Sequence, residues 1–313
     1  MSDIYVRPYD SGTKTPGKGV LPTILILAVL GGIGWWMSHR SEKKTDEPVV
    51  ATVAQSVEAL SATPQSSVVA KPSASAEKLF TRARSLMSSG KQSEASQLLG
   101  EVIATTTDAS LKNNALRMQG RVNVELFLSE VPTADKKTYI IQPGDSLDRI
   151  ARNNNTTVDL LRRINGIEGN LIFPGARLLV PAAPFVLEVD KSDRTMTVVI
   201  DGNRLKRYSV GLGRYGKTPL GTFKTVVHQT NPDWSPPSGG IVAFGDPLNV
   251  LGTRWISIVD ESRPELKGFG IHGTTDRESI GGETSNGCIR MLNEDVEEVF
   301  LLIPRGTHVV ISE

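Results

Sequence analysis

Cys288 is the only cysteine in a chain of 313 residues, and it stands in the polar, glycine-bearing run "ETSNGCIRM". His272, one of four histidines, lies shortly upstream in "FGIHGTT". A thiol with an imidazole in reach can perform nucleophilic acyl transfer: the ring takes the thiol proton, the sulfur attacks a carbonyl, and backbone N–H groups hold the oxyanion. The successive amides of "NGC" suit that last task. The alternative is a buried cysteine serving as a small apolar side chain, the usual fate of a free thiol. Against it, Cys288 belongs to a polar loop and not to an apolar stripe. One cysteine also excludes an internal disulfide. His228 and His308 fall in strand-like runs, with no Cys, Asp or Glu spaced from them as a metal set, so neither metal nor cofactor is expected.

The elements that must position this pair are mostly strands. "FVLEVD", "TMTVVI" and "RLKRYSV" are β-rich runs, the last two joined through Asp201-Gly202, a hairpin signal. "GTFKTVVH", "WISIVD", "GFGIHG" and "GTHVVIS" add further strands, and Gly and Pro cluster between them. One helix stands out near the end. Asn293 is its expected cap, Glu294 and Asp295 suit its positive N-terminus, and Val296, Val299, Phe300 and Ile303 form its buried stripe. His272 therefore sits at a strand end and Cys288 in the loop that follows.

Three segments precede this domain. Residues 139–181 alternate short apolar strands, Tyr139–Ile141 and Arg177–Val180, with two helices. Asp145 or Ser146 would cap the first, which carries Leu147, Ile150 and Ala151; Thr157 would cap the second, with Leu160, Leu161 and Ile164. Residues 76–130 are helical in pattern, with apolar stripes through Leu79–Met87, Ala95–Ile103 and Ala115–Leu128 broken near Gly90. Residues 38–75 are small, polar and proline-bearing without a period, the composition of a flexible tether. Val20–Met37, "VLPTILILAVLGGIGWWM", is uncharged and near the minimum of about 17 residues that span a bilayer. Trp35 and Trp36 would mark its interface, and no small-x-small cleavage site follows. Basic residues are nearly balanced on its two sides. A formal net charge of +1 gives no electrostatic footprint for nucleic acid.

Two segments resemble known families. "YIIQPGDSL", "TTVDLL" and "LIFPGARLLVP" resemble LysM along its whole length. That resemblance implies binding of N-acetylglucosamine-containing polymers in a groove formed by Gly144, Asp145 and Ser146 on one side and Ile172, Phe173 and Pro174 on the other. "IHGT", "SIG" and "TSNGCIRMLNEDV", with "TPLGTF", "NPDW" and "GTHVVI", resemble the L,D-transpeptidase (YkuD-type) catalytic domain over residues 185–313. Carried over, Cys288 is the nucleophile, His272 its base and Gly273 the carbonyl that orients the ring. Gly287 and Cys288 supply oxyanion N–H groups, while Ser285 and Asn286 line the site. Asn286 stands where many relatives have histidine, and it can still donate a hydrogen bond. Arg290 would hold a substrate carboxylate, or else form a structural salt bridge. Trp234 would floor the cleft or simply pack.

The expected architecture is thus multidomain. It comprises a cytoplasmic N-terminus (1–19), one transmembrane helix (20–37), a linker (38–75) and a short helical, faintly tetratricopeptide-like segment (76–130). A βααβ LysM domain (138–182) and a β-dominated, sandwich-type catalytic domain (185–313) follow. The resemblance implies a peptidoglycan L,D-transpeptidase that needs no cofactor, forms 3→3 cross-links and is acylated by carbapenem-type β-lactams. It would sit in the bacterial cytoplasmic membrane by a single pass, with the N-terminus inside and the catalytic part in the periplasm. Expected partners are peptidoglycan, the membrane and a protein docked on the helical segment. Rival readings are an L,D-carboxypeptidase, an enzyme attaching protein to peptidoglycan, and a non-catalytic wall-binding scaffold.

Overall fold

The computed structural model describes residues 72–313. The expected anchor and nearly all of the tether lie outside the described residues, among which no helix is long and apolar enough to cross a membrane. Three helices come first: α1 (Pro72–Ser88), α2 (Gln92–Thr105) and α3 (Ala109–Phe127). The first starts ahead of the expected onset at Ala76. Asp108 caps α3 by accepting from the Leu111 N–H at 2.8 Å. The helices share a small core of Ala83, Leu99, Val102 and Ala115.

The βααβ unit follows as β1 (Lys136–Ile140), α4 (Leu147–Asn153), α5 (Val158–Asn165) and β2 (Arg177–Pro181). Ser146 and Thr157 cap the two helices by accepting the Arg149 and Leu160 N–H groups. Asp145 is not the cap. Its carboxylate accepts from Gln142 N–H and Tyr139 O–H, closing the turn before α4.

The C-terminal part runs β3 (Phe185–Asp190), β4 (Thr195–Ile200), β5 (Asn203–Ser209), β6 (Leu212–Gly213), β7 (Gly221–Thr230), β8 (Arg254–Val259), β9 (Gly270–Thr274), β10 (Glu283–Ser285), β11 (Ile289–Leu292), α6 (Asn293–Leu302) and β12 (His308–Ser312). The β4–β5 hairpin turns on Asp201 and Gly202, both at positive φ (50° and 71°), as a tight primed turn requires. Eight strands form one mixed sheet in the order β11-β9-β8-β7-β12-β3-β4-β5, and β6 and β10 form a separate parallel pair. Where a sandwich of two sheets was expected, hydrogen bonding is continuous through one sheet whose edges nearly meet. Just beyond β5, Gly211 exchanges both backbone bonds with Arg290 of β11, at 2.8 and 2.9 Å. Residues from both ends, such as Met196 and Tyr208 or Ile289 and Met291, consequently enclose one core, which α6 closes with Val296, Val299 and Leu302.

That core is not confined to the β-rich part. Leu160 and Ile164 of α5 and Val124 and Phe127 of α3 belong to it. Leu161, adjacent to Leu160, faces the separate core of the βααβ unit. Phe127 meets Phe185 edge-on with ring centroids 5.6 Å apart. The carbonyls of Leu126 in α3 and of Ser129 just beyond it accept from the buried Lys136 ammonium, at 2.9 Å and 2.6 Å. Asn123 reaches the carbonyl of Leu205 on β5. The helical segment, read as a spacer or docking hairpin, is in fact packed on the edge strand of the large sheet.

Candidate active site

Register decides what faces what. Arg290 on β11 lies opposite His272 on β9, and His272 lies opposite Trp255 on β8. The intervening row, Ile289, Ile271 and Ile256, points into the main core. Because side chains alternate along a strand, Trp255, His272 and Arg290 share the other face. Cys288 has the same parity as Arg290 and joins it there. Its sulfur clusters with Leu251 and Trp255, and Trp234 packs against that group. The His272 ring lies 6.1 Å from that of Trp255. His272 and Cys288 thus lie on one face of the sheet, each beside Trp255.

The local bonding is directional. His272 Nδ1 and the Gly273 carbonyl are 2.9 Å apart. A carbonyl only accepts, so this contact favours the ring proton on Nδ1, and the backbone of Val250 also bonds the ring. His272 is 2% exposed and Cys288 4%. Burial, followed by the Arg290 charge, pushes His272 down to about 4, although the bond to Gly273 works the other way. Burial pushes the Cys288 thiol up to about 11. Both groups are neutral near pH 7, and the thiol donates to the Gly268 carbonyl at 3.6 Å.

The loop around the thiol is held by hydroxyls. Ser285 Oγ donates to the Cys288 carbonyl at 2.6 Å and accepts the Gly287 N–H at 3.1 Å. The Gly287 amide, expected as an oxyanion donor, is thus already committed. Of the three amides in "NGC", only that of Gly287 has an acceptor among the described residues, which leaves the Cys288 N–H for a substrate oxygen. What Gly287 contributes is shape: its φ is 129°, and a Cβ there would lie 2.6 Å from the Phe269 ring. Thr218, buried, accepts from Gly213 N–H and donates to the Gly287 carbonyl at 3.0 Å. Its positioning role was missed in the sequence, where the only signal was its place in "TPLGTF".

A cleft of about 530 Å³ is walled by Phe244, Asp246 and Asn249 on one side and Thr274, Asp276 and Arg290 on the other; Arg290 borders it, whereas the buried Cys288 and His272 do not line it. Arg290 Nη1 donates to Thr284 Oγ1 at 3.0 Å, and its Nε is buried without a partner. Among the described residues no carboxylate lies within salt-bridge distance of Arg290, although Asp276, on the same cleft wall, acts on its charge. Trp234 forms a backbone bridge with Val242, which folds the 231–253 stretch back as a flap, and its indole N–H has no acceptor. Asn286 is exposed. Asn293 does not cap α6; its side-chain oxygen accepts the Thr253 N–H at 3.1 Å and ties the flap's end to the helix start.

In the βααβ unit, Ile172 and Phe173 line a cavity of about 430 Å³ together with the exposed Leu171. The other expected groove residues do not line it. Gly144, with φ 84°, and Asp145 shape the turn, Ser146 caps α4, and Pro174 lies exposed in the next turn.

Comparison with known proteins identifies both C-terminal domains. Residues 184–311 match the L,D-transpeptidase catalytic domain (YkuD), and residues 139–181 match the LysM domain. The L,D-transpeptidase-family protein YqjB of Bacillus subtilis (strain 168) is 37% identical over 143 residues, covering 45% of this chain and 78% of its own length. The YkuD proteins of Bacillus licheniformis and Bacillus subtilis (strain 168) are 31% and 30% identical, each match covering 56% of this chain and 98% of theirs. With a catalytic-domain match that includes both Cys288 and His272 and relatives aligned over nearly their full length, the chain belongs to the L,D-transpeptidase (YkuD) family.

Proposed function

We propose that this chain is a peptidoglycan L,D-transpeptidase that forms 3→3 cross-links through a thioester on Cys288. The observation that carries the reading is the His272 Nδ1 contact with Gly273, which fixes the ring on the face shared with the only thiol; Nε2 is the proposed base. Since both groups are neutral at rest, the proton moves as the sulfur attacks and not before. Nε2 takes the Cys288 proton, and sulfur bonds to the carbonyl carbon between the third stem residue and the terminal D-alanine. The Cys288 N–H donates to the resulting oxyanion. The carbon–nitrogen bond breaks, and the imidazolium proton leaves with the D-alanine amine. The side-chain amine of a second stem's third residue then attacks the thioester. His272 takes that amine's proton, the carbon–sulfur bond breaks, and the thiolate is reprotonated. Arg290, half-buried at the cleft with no carboxylate in salt-bridge contact among the described residues, is suited to a substrate carboxylate. The flap carrying Trp234 must move to admit substrate, because the sulfur is covered.

LysM keeps the enzyme on glycan strands and raises the local concentration of stems. Residues 20–37 anchor the chain in the cytoplasmic membrane with its N-terminus inside, and the residues up to the first helix act as a tether. This orientation follows from the substrate, which lies outside that membrane. Incubating the protein with tetrapeptide muropeptides should yield dimers with 3→3 linkage and free D-alanine. Monomers shortened by one D-alanine, without dimers, would instead identify a carboxypeptidase.

A further inference from the structure

On the α6 face of the sheet, away from Cys288, the LysM and catalytic domains enclose a cavity of about 830 Å³. The LysM wall is the α4–α5 turn, with Asn155, Thr156 and Thr157. The catalytic wall is the end of β7 and the stretch after α6, with His228, Thr230 and Arg305. A bulge in β7, between Thr225 and His228, turns His228 to this face. The cavity is preformed, because Leu160 and Ile164 bind α5 into the catalytic core and hold the two walls together.

Two polar atoms in these walls have no protein partner, one from each domain: Thr156 Oγ1 and His228 Nε2. Thr156 is 7% exposed. Both atoms are covered by protein, so the polar groups a ligand meets directly are those of the exposed lining residues Asn155, Thr230 and Arg305. Charge in the cavity is largely settled within the protein. Arg152 pairs with Asp148, and Arg254 lies 3.8 Å from Glu297. Burial, and then the charge of Arg305, pushes His228 down to about 4, so its ring is a neutral donor and acceptor. What remains is a rim of hydroxyls, one carboxamide, one imidazole and one guanidinium around the apolar sides of Phe300 and Leu301. A pyranose ring offers the complement: apolar C–H faces edged by hydroxyl and acetamido groups.

We propose that this cavity is a second glycan site, taking N-acetylhexosamine units across the junction of the two domains. The proposal rests on the reading that this enzyme works on peptidoglycan and that its LysM domain holds glycan. A strand seated here would engage both domains at once, on the opposite face of the sheet from the one where Cys288 works on stem peptides. The two engagements would then reinforce each other.

The test is hydrogen-exchange mass spectrometry of the full chain with chitotetraose as the probe, using two variants altered at exposed positions. Wild type should show protection in two separate regions, around 171–177 and around 155–157 with 228–230. Asn155→Ala/Arg305→Ala should lose only the second, with roughly a tenfold weaker affinity there. Phe173→Ala should lose only the first. Protection of 171–177 alone in wild type, or a second footprint unchanged in the double variant, overturns the proposal while leaving LysM recognition intact. Protection nowhere overturns both.

Discussion

His272 and His228 flank the same strand, β8, on opposite faces of one sheet, the first buried and the second half-buried. His272 pairs in register with Trp255 and His228 with Ile256, adjacent residues whose side chains point apart. Desolvation pushes both rings down to about 4. Burial therefore does not make a base. His272 differs in having one nitrogen committed to Gly273 and the only thiol of the chain on its own face, whereas His228 Nε2 faces no reactive group. A shifted pKa marks desolvation; neighbours decide what the group can do.

The largest effect expected from this contrast is on turnover. His272→Ala should lower 3→3 dimer formation by about 10²–10⁴-fold, measured by chromatography of muropeptides, while the protein remains folded. A loss of less than tenfold would remove His272 from the proposed chemistry.

The next effect is shared by both rings and concerns stability. Each folded pKa of about 4 lies below the ordinary 6.5, so the unfolded chain takes up protons first. The stabilising contribution is complete above pH 6.5 and is lost as pH falls toward 4. By linkage each ring accounts for up to about 2 kcal/mol between pH 7.5 and pH 5. Urea denaturation at those two values should show His228→Leu losing less stability on acidification than wild type. An equal loss would mean that His228 titrates normally.

A smaller effect separates the thiol loop from its chemistry. Ser285→Ala removes the hydroxyl that joins the Cys288 carbonyl to the Gly287 N–H. Acylation should slow by roughly tenfold, equivalent to about 1.4 kcal/mol, through misplacement of the loop. Because Ser285 positions and does not transfer protons, the pH profile of acylation should keep its shape. A displaced profile would assign Ser285 a proton-transfer role.

What could be read from the sequence was local. The Asp201-Gly202 turn and the Ser146 and Thr157 caps rest on short spacings that determine their own geometry. What could not be read depends on distant partners. Leu160 and Leu161 look alike in a helical stripe, yet one enters the catalytic core and the other the LysM core. Asn293 has the chemistry of a cap, but the Thr253 N–H from another loop claims its oxygen. The β7 bulge that reverses His228 leaves no mark in "TVVHQT", because register is set by pairing with β8. The near-closure of the sheet through Gly211 and Arg290 joins strands far apart in the chain. Gly287 was read as an oxyanion donor from its adjacency to the thiol, and a side chain two residues away had already taken its N–H.

The most direct measurement is intact-protein mass spectrometry after incubation with a carbapenem, with peptide mapping of any adduct. If Cys288 is the nucleophile, wild type gains the mass of one ring-opened inhibitor on the peptide containing Cys288, and Cys288→Ala gains none. An adduct that persists in Cys288→Ala, or a wild-type protein that forms 3→3 dimers without ever carrying acyl mass on Cys288, would contradict it.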